Sequence, residues 1–409
     1  IDWMMEIIPN LDKTRAEKRG VIQWAVNQTP RPYSKRFQRV MERLKKKYNV
    51  EEIDLDVLES ADKAEEKKEA DRAAQEEKEK ALQEGLDEMP QLPERLPSLI
   101  ALLTQKVMPF QKAAVASMVF PPLQAHIQDA IFNADDESDF EMSGMCVLVG
   151  KQSVGKSCVD KPIECIMENI ALQDRDSRER ERTWAAQQQN KKANEKGAER
   201  PHIVIRYLNS DITPASLIQR LFNAENYGER KNLFTFTKVD EIDELYAMAP
   251  TQGKATISQL IRKCWDCGRL GAERFTANAA NFDSLLRWNW TACGTIERVM
   301  NFFRNSLVDG TLSRVDFATI IPPENEDFEF EYGDYDEQFK KDLLPYIENL
   351  EKFKCEEKQD GTVIPYSLPE MKALAKELNA YIKDKAAGME NSTWRDYAWR
   401  TKMITIKKI

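Results

Sequence analysis

The chain has 409 residues, of which 42% are hydrophobic and 32% are charged, and its formal net charge is -9. This length is enough for two or three domains, and seven scattered cysteines exclude a small domain held together by disulfides. No run approaches the roughly 20 consecutive apolar residues of a membrane-spanning helix, and no basic-then-apolar signal segment is present. We therefore expect a soluble, cytoplasmic protein, and we expect a fragment of a larger one because the first residue is not Met.

The acidic residues are concentrated in two segments. Residues 51–90 hold 16 Asp and Glu against 6 Lys and Arg, and residues 322–337 hold 8 acidic residues and no basic one. The remaining residues are mildly basic. The net charge of the whole chain therefore does not exclude a nucleic-acid partner for the globular part.

The first 141 residues are predicted to hold two helical units joined by a charged segment. Apolar residues at helical intervals indicate a small helical unit over residues 1–50, and the Glu-, Lys- and Ala-rich composition of residues 51–92 indicates a charged helix or a linker. Residues 93–141 hold two apolar helical segments after a Pro-containing stretch, which predicts a helical collar.

Beyond residue 142 the pattern becomes that of an α/β domain, with short apolar runs separated by helical stretches. We predict a core over residues 142–322 with a five-strand parallel sheet, whose strands lie at 145–149, 202–207, 233–239, 286–293 and 315–321. The polar stretch 174–200 is either a solvent-exposed extension of the preceding helix or a disordered insertion. Helical spacing returns over residues 323–409, which predicts a helical C-terminal subdomain.

The strongest motif in the chain is an unbroken G-x-x-x-x-G-K-S directly after the first of these strands and before a helix. Glycines let the backbone curl so that consecutive N–H groups converge on phosphate oxygens. Lys156 would then neutralise the β- and γ-phosphates, and the Ser157 hydroxyl would hold Mg²⁺. A chance match in a loop is the alternative. The predicted ATP-binding residues are Gly150, Lys151, Gln152, Ser153, Val154, Gly155, Lys156, Ser157 and Cys158.

Hydrolysis needs carboxylates at the end of a second strand, and residues 233–239 are followed by Asp240 and Glu241. We predict that Asp240 organises Mg²⁺ through water and that Glu241 polarises the attacking water. The alternative is that these carboxylates only solvate the start of a helix.

The next strand offers Thr295 or Asn289 to the γ-phosphate or to the attacking water. Threonine is also a common residue of strands, so a purely structural role is the alternative. Arg298, Arg304 and Arg314 come next in sequence, and Arg314, just before the last strand, could reach the phosphate of a neighbouring subunit. Each of these arginines could equally form a surface salt bridge.

A hairpin is predicted before the fourth strand, in the glycine-flanked stretch that carries Arg269, Arg274 and Phe275. Basic side chains beside an aromatic ring suit contact with the backbone of a nucleic acid strand. A merely solvated hairpin is the alternative. The single C-x-x-C of Cys264 and Cys267 has no second pair at zinc spacing, and two histidines in the whole chain argue against a metallohydrolase.

Taken in order, these features resemble the AAA+ ATPases, and within them the superfamily 3 and primase-associated helicases of viruses, plasmids and bacterial mobile elements. The resemblance covers about residues 95–409, and the runs at residues 207–214 and 309–314 share it. The chain departs from that pattern in the polar insertion at 174–200 and at Thr295, where many relatives carry Asn. The resemblance implies a homo-oligomeric ring, usually of six subunits, with ATP at subunit interfaces and hairpins lining a central channel.

Two hypotheses of different class are compatible with these features. The first is an ATP- and Mg²⁺-dependent DNA helicase or translocase that binds single-stranded DNA during replication of a mobile genetic element or phage. The second is a nucleotide-gated oligomeric scaffold that recruits a primase, a recombinase or another replication partner without unwinding DNA.

Overall fold

We describe the chain from a computed structural model. The structure describes residues 92–133, 139–190, 201–230, 233–246, 248, 254–272, 282–304, 306, 309–323, 332–360, 362–367, 369–388 and 401–408, and before them residues 14, 17, 18, 39, 42, 43 and 46. The chain divides into two compact units, Ile1–Asp87 and Glu88–Ile409. Because only residues 14, 17, 18, 39, 42, 43 and 46 are described before residue 92, the predicted helical unit at 1–50 and the charged segment at 51–92 lie almost entirely outside the described residues.

The strands of the second unit are β1 (Phe132–Asn133), β2 (Asp139–Phe140), β3 (Met145–Gly150), β4 (Tyr207–Leu208), β5 (Thr235–Val239), β6 (Arg269–Ala272), β7 (Phe282–Leu285), β8 (Trp288–Gly294), β9 (Asp316–Ile320), β10 (Glu356–Glu357), β11 (Val363–Ile364) and β12 (Tyr366–Ser367). Its α-helices are α1 (Ser98–Thr104), α2 (Lys112–Met118), α3 (Phe120–Gln124), α4 (Asp160–Gln189), α5 (Pro214–Tyr227), α6 (Lys254–Trp265), α7 (Ile296–Phe303), α8 (Glu337–Glu351) and α9 (Pro369–Ala387). Residues 401–406 are also helical.

The five predicted strands form one all-parallel sheet in the order β4-β5-β8-β3-β9, which confirms the α/β class. Among the strands of this sheet, β3 comes first in sequence, and it lies between β8 and β9, the fourth and fifth in sequence. Since the strands are parallel, all of their carboxyl ends meet at one edge of the sheet. The segments that come directly after β3, β5 and β8 are therefore brought to the same edge.

The side chains of alternating strand residues pack into two apolar layers, one on each face of the sheet. Cys146 and Leu148 of β3 pack with α1, α2, α4 and α8, whereas Met145 and Val147 pack with α5, α6 and α7. The central strand β8 is buried along its whole length, and its Trp288 Nε1 donates to Thr237 Oγ1 at 2.9 Å. A parallel sheet covered on both faces explains why these strands are apolar on both sides.

The edge strand β4, Tyr207–Leu208, is shorter than the predicted 202–207, and a buried carboxylate lies at its start. Asp174 of α4 accepts hydrogen bonds from the backbone N–H groups of Arg206 and Tyr207 at 2.9 and 2.7 Å. These bonds satisfy two backbone donors at the start of β4 and hold it against α4. Burial raises the pKa of Asp174, and the two backbone bonds act against that rise.

The polar stretch at 174–200 continues helix α4 as far as Gln189, so the extension predicted from the sequence is present, and residues 191–200 lie outside the described part. Pro162, which the sequence suggests would kink the helix, lies in the first turn of α4. Backbone N–H groups in the first turn of a helix have no intrahelical acceptor, so the absence of an N–H on Pro162 removes no hydrogen bond of α4.

The predicted collar and the predicted C-terminal subdomain share a small sheet. β1 pairs with β2 and also, in parallel, with β12. The C-terminal region therefore contains short strands as well as helices α8 and α9.

Candidate nucleotide-binding site

The loop after β3 curls tightly, as the G-x-x-x-x-G-K-S motif requires. A Cβ on Gly150 would lie 2.8 Å from Val154 Cγ2, so only glycine fits there. Ser153 and Gly155 have φ of 60° and 74°, and a 3-10 helix, Lys156–Val159, leads directly into α4. Alternation of right- and left-handed residues turns successive N–H groups to one side, which forms an anion-binding concavity. The N–H groups of this loop are therefore candidates for contact with an anion.

The side chain of Lys156 folds back over this loop. Its Nζ donates to the carbonyl of Gly150 at 3.3 Å and to that of Lys151 at 3.0 Å. Both acceptors are neutral, so an anionic phosphate would be a stronger partner for the same ammonium group. The Ser157 side chain is exposed beside it, whereas Val154 and Cys158 are buried and anchor the loop to the core.

Asp240 follows the last residue of β5 and forms an ion pair that was not expected from the sequence. Lys238 Nζ lies 2.9 Å from Oδ1 of Asp240 and 2.9 Å from Oδ1 of Asp160, the first residue of α4. Burial lowers the pKa of Lys238, but its hydrogen bonds to the two carboxylates outweigh burial and raise it. Burial raises the pKa of Asp160. Lys238 thus joins the end of β5 to the helix that follows the phosphate loop.

Glu241 is paired with an arginine of the same chain. Arg298 Nη1 lies 3.0 Å from Glu241 Oε2, and Arg298 Nε lies 3.9 Å from Asp243. Both partners of the first pair are about half exposed, at 52% and 45%. Arg298 is one of the three arginines predicted after the fourth strand, and it belongs to helix α7, which starts at the same edge of the sheet.

Thr295 lies between the phosphate loop and the carboxylates. Gly294 pairs with Val149 in the sheet, so Thr295 follows β8 next to the start of the phosphate loop. It is the N-cap residue of α7, yet its hydroxyl makes no capping bond to that helix. The hydroxyl is therefore not committed to the cap.

The alternative sensor residue, Asn289, is wrong for this role. It is fully buried near the amino end of β8, where its amide bonds the carbonyls of Pro121 and Met142 and the N–H of Gly144. These bonds join α3 to the segment before β3. They lie at the amino edge of the sheet, opposite to the carboxyl edge where the loop after β3 begins.

Arg314 also lies at the amino edge. It precedes β9, whose last residue, Ile320, pairs with Gly150, so the five residues of the strand, about 16 Å, separate it from the loop. Its Nη1 donates to the carbonyl of Gly310 at 2.8 Å, and Nη2 lies 3.6 Å from Asp266. Arg314 is not positioned to contact a nucleotide in its own chain.

The predicted hairpin is present as the antiparallel pair β6 and β7, with Arg269 opposite Leu285. Arg269 lies at the base of the hairpin and contacts Glu225 at 3.4 Å and Asp283 at 3.3 Å. Glu225 also accepts from Ser284 Oγ and Leu285 N, both at 2.9 Å, so it anchors β7 to α5. Arg274 and Phe275 lie outside the described residues.

Mg²⁺ prefers hard oxygen ligands in an octahedral arrangement with retained waters. The hydroxyl of Ser157 and the carboxylate of Asp240 are such ligands, and both lie at the carboxyl edge of the sheet, so the residues present fit this ion. Elsewhere, within the described ranges, no group of three or more His, Cys, Asp or Glu side chains is arranged to hold a metal. Cys264 and Cys267 are buried, and burial raises the pKa of the Cys267 thiol to about 12.

No protein-family model matches the chain, and no curated protein matches it. Among the described residues, no helix has the length and apolar character needed to cross a bilayer.

Proposed function

We propose that the chain is a Mg²⁺-dependent ATPase whose site is the carboxyl edge of the five-strand sheet. The observation that carries this proposal is the convergence of three strand ends: the curled loop after β3, Thr295 after β8, and Asp240 and Glu241 after β5. Strand β8 lies between the other two. Since neighbouring strands are about 4.8 Å apart, the carboxylates begin about 10 Å from the loop, which leaves room for a terminal phosphate and its attacking water.

Each residue then has a separate role. The N–H groups of the loop and Lys156 bind the phosphates, and the bound ion, held by Ser157 and Asp240, would neutralise charge that develops on them. Glu241 first breaks its ion pair with Arg298, so that the attacking water can bind to the carboxylate in place of the arginine. Glu241 then accepts a proton from that water. Thr295 orients the water or the γ-phosphate through its uncommitted hydroxyl.

We further propose that the ATPase is a helicase or translocase acting on single-stranded DNA during replication of a mobile genetic element or phage, as a homo-oligomer and usually a ring of six. The distance of Arg314 from its own phosphate loop supports an oligomer, because this arginine could act only on a nucleotide held by a neighbour. The antiparallel pair β6–β7 supports a DNA contact, because the sequence between the two strands carries a second arginine and an aromatic residue beside Arg269.

The nucleotide-gated scaffold is the second candidate, and one observation favours it. The charge of Arg269 is shared between two carboxylates of its own chain, Glu225 and Asp283. An arginine paired in this way is less available to a phosphate backbone than a free one. In this alternative, ATP would assemble the platform that recruits a primase or another replication partner.

The test compares wild type with Arg269→Ala/Arg274→Ala in single-stranded DNA binding across a salt series, in DNA-stimulated ATP turnover and in strand displacement. A helicase should bind DNA with a steep salt dependence, and the variant should reduce the slope by about one unit for each arginine–phosphate pair that it removes, while basal turnover persists. DNA-independent turnover with no strand displacement, together with unchanged DNA affinity in the double variant, would instead favour the scaffold.

A further inference from the structure

A buried glutamine lies directly beside the phosphate loop. Gln111 is the last residue of a 3-10 helix, Pro109–Gln111, and α2 begins at the next residue. Its side chain is 0% exposed although it is polar, so its amide needs partners inside the protein. None of the roles proposed for the nucleotide site involves it.

The amide of Gln111 uses both of its ends. Its Oε1 accepts from the backbone N–H of Met108 at 3.3 Å, and its Nε2 donates to the carbonyl of Gly155 at 3.3 Å and to Tyr332 Oη at 3.4 Å. The N–H of Met108 can only donate and the carbonyl of Gly155 can only accept. These two neighbours therefore fix which end of the amide is nitrogen.

The bond to Gly155 falls on the residue where the loop turns. Gly155 has φ 74° and ψ 42°, a left-handed conformation, and it is the N-cap residue of the 3-10 helix Lys156–Val159. A glycine is freer than any other residue to leave such a conformation. A restraint on its carbonyl is therefore a restraint on the shape of the loop.

That restraint also sets the direction of an N–H group. The peptide bond between Gly155 and Lys156 is planar and trans, so the Gly155 carbonyl and the Lys156 N–H point in opposite directions. A hydrogen bond that holds the carbonyl towards Gln111 therefore holds the Lys156 N–H away from Gln111. This N–H is one of the groups that a phosphate loop turns towards its anion.

We propose that Gln111 is a positioning residue of the phosphate loop: through the carbonyl of Gly155 it orients the N–H of Lys156 towards a phosphate oxygen of the nucleotide. The inference rests on the proposed function, because it assumes that the loop binds phosphate. The Gly155 carbonyl also accepts from the N–H of Cys158 at 3.1 Å. Loss of Gln111 therefore does not leave that carbonyl unpaired, and the expected effect is on binding more than on folding.

The test replaces Gln111 with methionine, which has a similar shape and no donor, and uses Tyr332→Phe as the matched control. The control removes the other acceptor of the same amide and leaves the bond to Gly155 intact. The probes are Mg²⁺ with inorganic tripolyphosphate, whose dissociation constant is measured directly, and Mg-ATP, whose KM and kcat are measured separately. Thermal unfolding without ligand reports folding for each variant.

We expect Gln111→Met to weaken tripolyphosphate binding and to raise the KM for ATP, each by about tenfold, which is the scale of one hydrogen bond. The kcat at saturating ATP should change much less, and Tyr332→Phe should bind as wild type does. Gln111→Glu, which keeps the acceptor for Met108 but as a carboxylate has no donor for Gly155, should show the same loss of affinity.

Wild-type tripolyphosphate affinity in Gln111→Met would overturn the inference, as would a failure of both Gln111 variants to fold, which would make Gln111 a folding residue. An equal loss in Tyr332→Phe would also overturn it. Lys156→Ala separates this outcome from failure of the proposed function. If wild type and Lys156→Ala bind tripolyphosphate equally, the loop is not a phosphate site. If only Lys156→Ala loses binding, the site stands without a role for Gln111.

Discussion

Asp240 and Glu241 are adjacent in sequence, but the cations that face them differ in environment. The partner of Asp240, Lys238, is mostly buried, at 19% exposed, and is shared with Asp160. The partner of Glu241, Arg298, is half exposed, and such a surface pair contributes about 0–1 kcal/mol. Glu241 can therefore leave its partner at little cost, as a base that must contact water requires. Asp240 is itself 74% exposed, so it too can exchange its partner.

Glu241→Gln should retain ATP binding and lose turnover by about 10²- to 10⁴-fold, because the amide cannot accept the proton of the attacking water. Asp243→Asn is the matched control, since Asp243 is a second carboxylate beside Arg298. Binding is measured by titration with labelled ATP and turnover by phosphate release. Normal hydrolysis by Glu241→Gln would place the catalytic carboxylate elsewhere.

The strand before the G-x-x-x-x-G-K-S loop and the helix after it could be predicted because the pattern is local, whereas phosphate binding by the loop stays a prediction. The ion pairs Lys238–Asp160 and Arg298–Glu241 could not be predicted, because their members are far apart in sequence and meet only through the order of the strands. Asn289 was a wrong prediction for the same reason, because its role depends on contacts between distant elements. A polar residue near the end of a predicted strand was compatible with a sensor, but its position at the amino end makes it a structural residue.

Among the elements, the hairpin β6–β7 is fixed to the core at its base. Glu225 of α5 bonds Ser284 and the backbone N–H of Leu285, and it also contacts Arg269. The sequence predicted the hairpin from its glycines and turn residues. It did not predict that a helix carboxylate neutralises part of the charge, because that contact joins separate elements.

The helical segment at residues 401–406 is followed by a buried lysine at the amino edge of the sheet. Lys407 Nζ donates to Ser143 Oγ at 2.5 Å and to the carbonyl of Trp265 at 3.1 Å, and it lies 3.9 Å from the centre of the Trp265 ring. Burial lowers the pKa of Lys407 from 10.5 to about 8. The charged and titratable groups that act on it are Cys267, Asp266, Glu141 and Arg314.

The contribution of Lys407 to the free energy of unfolding should therefore rise with pH between about pH 8 and 10.5. In this window the unfolded state binds the proton that folded Lys407 has released, so this contribution increases as the pH rises. The full shift corresponds to about 3 kcal/mol. Burial raises the pKa of several cysteine thiols, among them Cys267, which opposes this rise above about pH 9, and these thiols are present in every variant. Between pH 7.5 and pH 9.5, urea unfolding should therefore give a change in the free energy of unfolding that is more positive in wild type and in the control Lys408→Met than in Lys407→Met. The same pH dependence in wild type and Lys407→Met would contradict the low pKa.

In the second unit of the chain, different functional side chains lie at the carboxyl ends and at the amino ends of the parallel strands. The carboxyl edge carries the phosphate loop, Thr295 and the two carboxylates, whereas the amino edge carries Arg314, the base of the hairpin and Lys407. The alternation of strands and helices was sufficient to predict a parallel sheet. The lateral order of the strands, which decides what is adjacent at each edge, is a property of the folded chain.

Mixing wild type with an excess of Arg314→Ala should lower ATP turnover by more than simple dilution, because each variant subunit would also disable the site of its neighbour. Removal of such an arginine costs about 10³-fold or more in kcat where it acts on a neighbour's phosphate. Arg304→Ala, at the end of α7, is the comparison. A linear decrease with Arg314→Ala, or full activity of a monomer at nanomolar concentration, would exclude the shared site.

The central claim is that the loop after β3 binds and hydrolyses Mg-ATP, and steady-state phosphate release by wild type and Lys156→Ala tests it most directly. Lys161→Ala is the control, because Lys161 is an exposed lysine in the first turn of α4 that pairs with Glu164. We predict turnover by wild type and Lys161→Ala and a loss of about 100-fold or more in Lys156→Ala, since Lys156, and not the other loop lysine Lys151, occupies the motif position whose charge faces the β- and γ-phosphates. Equal turnover by wild type and Lys156→Ala would contradict the claim.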